Sequence, residues 1–196
     1  MQTNSRRSIR NLTQFSLLLA IEIVLGVTPL GLITLPVASI TLLHVPVIIG
    51  AVVMGPLKGG VLGGTFGIIA LIKASTAAVG PVDILFSPFL SGNPVASLIM
   101  CLVPRILLGV FAALLFRLFK NRFKNNVWGI GITAALSTAL HTVMVLGCLF
   151  FLFSAIPLAA VFTTLISLNG VLEILAAVII AVPVCKALLS YNEKNK

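Results

Sequence analysis

Apolar residues fall into long runs along the chain, and short segments rich in proline, glycine or charge separate these runs. Such a pattern is typical of helices that have lipid as their solvent. The second run is too short to cross ~30 Å of hydrocarbon at ~1.5 Å per residue, so its helix either begins near Ser39 or enters only part way. We predict an all-α membrane protein with six transmembrane helices, at residues 11–28, 44–54, 59–72, 94–118, 127–153 and 157–189.

Two connecting segments differ from simple turns. Residues 29–43 are apolar but interrupted by proline, which predicts an extended crossing loop. Residues 73–93 form the longest stretch without a spanning pattern, and a loop of this length is usually functional, for instance as an extracellular lid. The predicted organisation is a cytoplasmic basic tail at 1–11, a transmembrane substrate-binding domain at 12–189 and a second cytoplasmic tail at 190–196.

Composition and charge strengthen this interpretation. Hydrophobic residues make up 59% of the chain and charged residues only 9%, whereas a soluble domain carries about 25% charged residues. The net charge of +9 comes from basic residues at the ends of apolar runs, which predicts an orientation with both termini inside and no nucleic-acid partner. We expect the first run to remain as a helix and not to be cleaved as a signal peptide. The predicted cytoplasmic set is Arg6, Arg7, Arg10, Lys58, Arg117, Lys120, Arg122, Lys124, Lys186, Lys194 and Lys196.

Polar side chains inside the spans are the candidates for function, because each is costly in hydrocarbon. With the predicted orientation they gather between the outer surface and the middle of the membrane, beneath the loop at 73–93. Asn169 and Glu173 are one helical turn apart and share a face. We therefore predict a binding pocket open to the outside, formed by His44, Ser87, Asn93, Arg105, His141, Asn169 and Glu173.

Structural explanations compete with this one. Arg105 and Glu173 could form an ion pair that only neutralises two charges inside the bundle. His141 could be a packing histidine, and Asn169 could join helices by hydrogen bonds. Lys73 could extend its ammonium group to the lipid headgroups.

Small residues predict close helix contacts. Gly55, Gly59, Gly63 and Gly67 recur every four residues, from the turn before the third helix into that helix, a spacing that lets neighbouring backbones approach. In the first helix, Ser16 and Ala20 form a small-xxx-small pair that serves either an internal contact or the docking of another membrane subunit. Glu22 in the same helix has no partner that the sequence identifies.

Several motifs are absent from the sequence. It contains no G-x-x-x-x-G-K-[ST] sequence for ATP and no G-x-S-x-G or H-E-x-x-H motif of a hydrolase. The three cysteines are widely spaced and predict packing thiols, without a disulfide or a metal site. Carboxylates are too few for an ion-coupled relay. These features favour a substrate binder that has no motor, no cofactor and no enzymatic activity of its own.

Three stretches resemble the substrate-binding S components of energy-coupling factor (ECF) transporters. Residues 40–67 (ITLLHVPVIIGAVVMGPLKGGVLGGTFG) resemble their second and third helices. Residues 86–109 (FSPFLSGNPVASLIMCLVPRILLG) resemble the third loop and fourth helix of the pantothenate-type members. The pattern Asn169-Gly170 followed by Glu173 is also similar to that group.

The resemblance implies a bacterial plasma-membrane subunit that works with a transmembrane T component and two ABC-type ATPases, which bind the ATP. Family members dock on the T component through an AxxxA motif, to which Ser16 and Ala20 correspond here, with Val24 in place of a further alanine. The expected substrate is a water-soluble vitamin, with pantothenate favoured. Arg105 would bind its carboxylate; His44, Asn93, His141 and Asn169 would address its amide and hydroxyls, and Glu173 would accept from a hydroxyl or orient Arg105.

Alternatives remain within and outside this class. Another S component could bind riboflavin, folate, or a hydroxymethylpyrimidine or pyridoxine-like compound. The scarcity of tryptophan and tyrosine argues against a flavin, because stacking would then rest on phenylalanines such as Phe86 and Phe89. From other classes, a stand-alone secondary transporter or a membrane enzyme using His141 and Glu173 are the competing hypotheses.

Overall fold

A computed structural model describes residues 2–34, 39–78, 80–120, 122, 126–153 and 170–194. These residues are almost entirely helical. The helices are α1 (Gln2–Val27), α2 (His44–Met54), α3 (Pro56–Thr76), α4 (Pro81–Leu85), α5 (Pro94–Lys120), α6 (Asn126–Leu152) and α7 (Gly170–Lys194). A 3-10 turn at Pro29–Gly31 leads into two short antiparallel strands, β1 (Leu32–Thr34) and β2 (Ser39–Thr41), in which Leu32 pairs with Thr41.

Five of the described helices are long and apolar enough to cross a membrane: Ser8–Val27 within α1, and α3, α5, α6 and α7. Four of these helices, α1, α3, α5 and α6, correspond to the spans predicted at 11–28, 59–72, 94–118 and 127–153, all of which the structure describes in full. For the last predicted span, the structure describes the part from Gly170 onward, and residues 157–169 lie outside the described residues.

Two helices are longer than predicted, because polar residues extend them beyond their apolar runs. Helix α1 begins at Gln2 and α7 continues to Lys194, so the basic ends predicted as tails are largely helical. Residues such as Gln, Arg and Lys have good helix propensity, and a helix does not have to end where the hydrocarbon ends. The loop predicted at 73–93 is shorter than expected, because α3 extends to Thr76 and the five-residue helix α4 lies within it.

The second apolar run forms a short central helix. The suggestion that this helix begins near Ser39 is wrong, because Ser39–Thr41 is a strand and α2 begins at His44. Its residues 44–52 are all buried, and it contacts α1, α3, α5, α6 and α7. A helix that is hydrophobic all round is normally a buried one. Residues 44–52 of α2 are therefore enclosed by protein, and only Val53 and Met54 at its end are partly exposed.

Glycines allow α3 and α5 to pack backbone against backbone. A Cβ atom on Gly63 would collide with the carbonyl oxygen of Arg105, and one on Gly59 would lie 2.7 Å from that of Gly109. The structural interpretation of this glycine row is therefore confirmed, and the contact sets the position of Arg105. Gly55, at the turn between α2 and α3, has φ +94°, a conformation that L side chains rarely adopt.

Polar contacts attach α1 to the bundle at both ends. The Lys58 Nζ donates to the Asn11 carbonyl and the Lys73 Nζ to the Thr28 carbonyl, each at 3.3 Å. Lys73 thus binds a backbone group beyond the end of α1. The Gln14 side chain also exchanges two amide hydrogen bonds with Asn192 of α7.

Glu22 lies on the inward face of α1 and is completely buried. Neither of its carboxylate oxygens has a hydrogen-bond partner in the part of the chain that the structure describes. A buried polar group without a partner costs free energy, because it has lost its interactions with water. Glu22 therefore destabilises the folded bundle.

We expect the E22L variant to be more stable than the wild type, by roughly 1–3 kcal/mol, because it removes an unpartnered carboxyl group and keeps an apolar volume. Thermal unfolding of the two proteins in the same detergent measures this difference. The matched control is V24L, which alters an exposed position of the same helix and should leave the midpoint unchanged. A lower midpoint for E22L would contradict the prediction.

Candidate substrate-binding site

Arg105 owes its position to the proline before it. Pro104 lies inside α5 and has no N–H group, so the carbonyl of Met100, four residues earlier, loses its helical donor. The Arg105 Nη1 turns back and donates to this Met100 carbonyl. The side chain is thereby held within the bundle, where it is 6% exposed.

Two aromatic rings enclose the guanidinium group. The Cζ of Arg105 lies 5.3 Å from the ring centre of Phe66 in α3 and 5.2 Å from that of Phe86 in the loop after α4. Both distances are typical of cation–π contacts. The Cys101 thiol donates to the backbone carbonyl of Phe86 at 3.3 Å and helps to hold this loop over the arginine.

The positive charge of Arg105 is not neutralised by a protein carboxylate. Among the described residues its contacts are the Met100 carbonyl and the two rings, and its buried Nε has no hydrogen-bond partner. The ion pair with Glu173, one of the alternatives from the sequence, does not form, although Glu173 is near enough to act on Arg105 electrostatically. A buried cation without a counter-ion is unfavourable unless an anion binds to it.

His141 lies next to this arginine. Its Nδ1 is 3.3 Å from the carbonyl oxygen of Pro104, and its ring centre is 5.8 Å from that of Phe66. Because a carbonyl oxygen only accepts hydrogen bonds, Nδ1 carries the proton in this contact, and in the neutral ring Nε2 is an acceptor. His141 is 5% exposed. The structure therefore brings Arg105 and His141 together, as the sequence predicted.

His44 and Glu173 flank the same region from α2 and α7. His44 is fully buried, and its ring lies near backbone groups of Thr41 and Glu173, although neither ring nitrogen makes a well-aligned hydrogen bond with the described residues. It is close enough to His141 to act on it electrostatically. The Oε1 of Glu173 accepts a hydrogen bond from the backbone N–H of Thr41 at 2.9 Å.

Ser87 and Asn93 organise the loop between α4 and α5. The buried Ser87 Oγ is 3.0 Å from the Ser75 Oγ of α3, and the Ser87 carbonyl accepts from Ser97 of α5. Asn93 is exposed, and its Oδ1 accepts from the Ala96 N–H at 3.2 Å. It therefore caps the N-terminus of α5, a role that the Asn-Pro sequence could have indicated. The two side chains thus connect the loop to its flanking helices, Ser87 to α3 and Asn93 to α5.

Three further positions complete the comparison with the prediction. Asn169 lies outside the described residues. Phe66 was missed, because the sequence gives no reason to distinguish it from other core phenylalanines. Phe86 contacts Arg105, whereas Phe89, the other suggested stacking residue, is 85% exposed.

A second feature lies on the other side of Pro104. A groove of about 350 Å³ opens between α5 and α6, and the atoms that line it are apolar. None of the polar site residues lines it. Its lining residues are Ile99, Val103, Pro104, Leu107, Met144, Gly147, Cys148, Phe151 and Leu152.

Five described helices that are long and apolar enough to cross a membrane, with a buried arginine and a buried histidine between them, indicate a multi-pass membrane protein. The model of the family described as "ECF transporter, substrate-specific component" matches residues 10–185, and the chain belongs to this family. A relative is the "Pantothenic acid transporter PanT" of Lactococcus lactis subsp. cremoris (strain MG1363). The two sequences are 34% identical over 157 residues, and the match covers 76% of each chain. The chain is accordingly a transporter subunit that is located in the bacterial cell membrane.

Proposed function

We propose that this subunit captures pantothenate outside the cell and that Arg105 binds the carboxylate of the vitamin. The single observation that carries the proposal is the buried guanidinium group, which has no carboxylate partner among the described residues and whose Nε makes no hydrogen bond with them. A carboxylate placed there would supply the missing charge and accept charge-assisted hydrogen bonds. The similarity to a protein named as a pantothenic acid transporter supports the same substrate.

The polar remainder of pantothenate consists of an amide and two hydroxyls. His141 can accept from a hydroxyl through Nε2, because its Nδ1 is used by the Pro104 carbonyl. His44 supplies a buried ring whose nitrogens make no well-aligned hydrogen bond in the described chain. We assign Asn169 to the same pocket because it is four residues before Glu173 in the sequence, and we assign Ser87 and Asn93 to shaping the loop above it.

For the membrane topology we propose six spans with both termini in the cytoplasm. In this arrangement the buried helix α2 counts as one of the six spans. The last span begins near Pro157 and continues through α7. The outer side then contains the N-terminus of α2, the loop that carries Phe86, and the hairpin of β1 and β2. We propose that the loop and the hairpin close over the pocket.

We propose that the energy comes from partner proteins: a transmembrane T component and two ABC-type ATPases, which bind the ATP. Ser16 and Ala20 lie on the exposed face of α1, so they are accessible for docking, which supports the docking alternative over an internal contact. Exposed apolar residues, among them Leu12, Leu17 and Val24, surround this pair. Such a surface suits either lipid or a second membrane protein.

Direct binding to the purified subunit tests the proposed substrate. Titration calorimetry in lipid nanodiscs, with a panel of pantothenate, riboflavin, folate and pyridoxine, should give saturable binding for pantothenate alone. Saturable binding of another vitamin, with none for pantothenate, would reassign the substrate. Uptake by vesicles that contain this chain alone, driven by an ion gradient without ATP, would instead indicate a secondary transporter.

A further inference from the structure

We propose that Glu173 is a positioning residue: its carboxylate fixes the backbone that leads into α2 and so places His44 in the site, without contacting the substrate. The inference rests on the proposed function, because it concerns the pocket in which pantothenate would bind. It differs from the role in which Glu173 accepts a hydrogen bond from a substrate hydroxyl or orients Arg105.

The contact between Glu173 and Thr41 joins two distant parts of the chain. Glu173 is on α7 and is 8% exposed, and its Oε1 lies 2.9 Å from the backbone nitrogen of Thr41. Thr41 is the last residue of β2. A carboxylate that accepts a backbone N–H in a buried setting makes a strong hydrogen bond. This bond therefore fixes where the hairpin meets the helix bundle.

Thr41 also controls the turn into α2. Its Oγ1 accepts from the N–H of Leu43 at 3.3 Å, and the N–H of Leu42 donates to the Gly31 carbonyl at 3.0 Å. His44, the first residue of α2, follows within this turn. A shift of Thr41 would consequently move the His44 ring.

Electrostatics argue against a direct contact of Glu173 with the substrate. Pantothenate is an anion, and a second carboxylate beside it would, in its ionised form, oppose the attraction of Arg105. Near the start of α2, by contrast, a negative charge is favourable, because the N-terminus of a helix carries a partial positive charge. The N-cap residue of this helix, Leu43, provides no side-chain cap. The carboxylate is therefore placed to act on the backbone.

Two variants separate the roles. In E173Q an amide oxygen can still accept from the Thr41 N–H, whereas E173A has no acceptor. We expect calorimetry in nanodiscs to give a pantothenate Kd within about fivefold of the wild type for E173Q and at least about tenfold weaker for E173A. In the absence of ligand, hydrogen–deuterium exchange at the Thr41 amide should be slow in the wild type and in E173Q. It should be at least about tenfold faster in E173A.

Two variants of Thr41 test the same hydrogen bond from the side of the hairpin. T41P removes the donor N–H, and T41S retains both the N–H and the hydroxyl. We expect T41P to weaken binding as E173A does and T41S to match the wild type. If E173A does not fold, this pair decides the question.

Each contrary result has a definite meaning. An equal loss of affinity in E173Q and E173A would overturn the proposal and make the charge of Glu173 a substrate contact. Wild-type affinity in E173A, or in T41P, would also overturn it. If the wild type itself fails to bind pantothenate, the substrate assignment is wrong, and the exchange rates without ligand still test the role of Glu173.

Discussion

The R105M variant is expected to lose pantothenate binding while it keeps the fold. Removing one partner of a buried, hydrogen-bonded charge pair costs roughly 2–5 kcal/mol, which corresponds to about 30- to 5,000-fold in Kd. Methionine fills a similar volume between Phe66 and Phe86 but carries no charge. Calorimetry in nanodiscs measures the loss, and thermal unfolding verifies that the protein is intact.

The control for this variant is R117M. Arg117 is on the same helix but exposed near its other end, so its replacement should leave Kd unchanged. R105K should fall between the wild type and R105M, because lysine keeps the charge but not the planar arrangement of donors.

The analogue of pantothenate in which the carboxylate is an alcohol completes a thermodynamic cycle. Loss of the ligand's carboxylate should weaken binding to the wild type but not to R105M, because the two groups act on each other. If the losses of affinity from R105M and from removal of the ligand's carboxylate were additive, Arg105 would not bind the carboxylate.

The second large effect is expected for G63A. A Cβ at Gly63 would collide with the carbonyl oxygen of Arg105, which is a backbone atom and cannot rotate aside. Helices α3 and α5 must then separate, and overpacking of this kind typically costs 1–3 kcal/mol. We expect a lower unfolding midpoint together with weaker pantothenate binding, because the same shift moves Arg105 relative to Phe66.

Gly64 provides the matched control on the neighbouring face of the helix. A Cβ at that position would be 3.8 Å from the Cγ1 of Ile106, an ordinary van der Waals distance. G64A should therefore unfold and bind as the wild type does. If G63A and G64A had the same unfolding midpoint and the same pantothenate Kd, the close approach of α3 and α5 would limit neither stability nor binding.

Much of the fold could be predicted because the membrane reduces the choice of structures. Backbone groups in lipid must be paired within the chain, so a long apolar run such as that in α5 almost has to be a helix. The sequence also indicated Arg105 and His141, since ionisable groups in an apolar span are rare enough to stand out. The four-residue glycine spacing similarly indicated a close helix contact, although not its partner.

The remaining features depend on which residues from different parts of the chain meet. The run at 44–54 could not reveal whether it was a partial crossing or a buried helix, because that depends on the helices that surround it. Glu173 is a plausible partner of Arg105 by charge, yet the fold brings it to the backbone of Thr41 instead. Ser16 and Ala20 could face inward or outward, since their spacing alone does not fix the rotation of α1.

The sequence by itself thus determined that this is a helical membrane protein, the positions of most spans and the identity of the ionisable groups, because these follow from the cost of polarity in hydrocarbon. Only the tertiary structure decided that Arg105 has aromatic rings and a carbonyl as its neighbours, but no carboxylate. That arrangement arises from the packing of α3 against α5 and from the proline that frees the Met100 carbonyl, and neither is visible from the pattern of apolar residues.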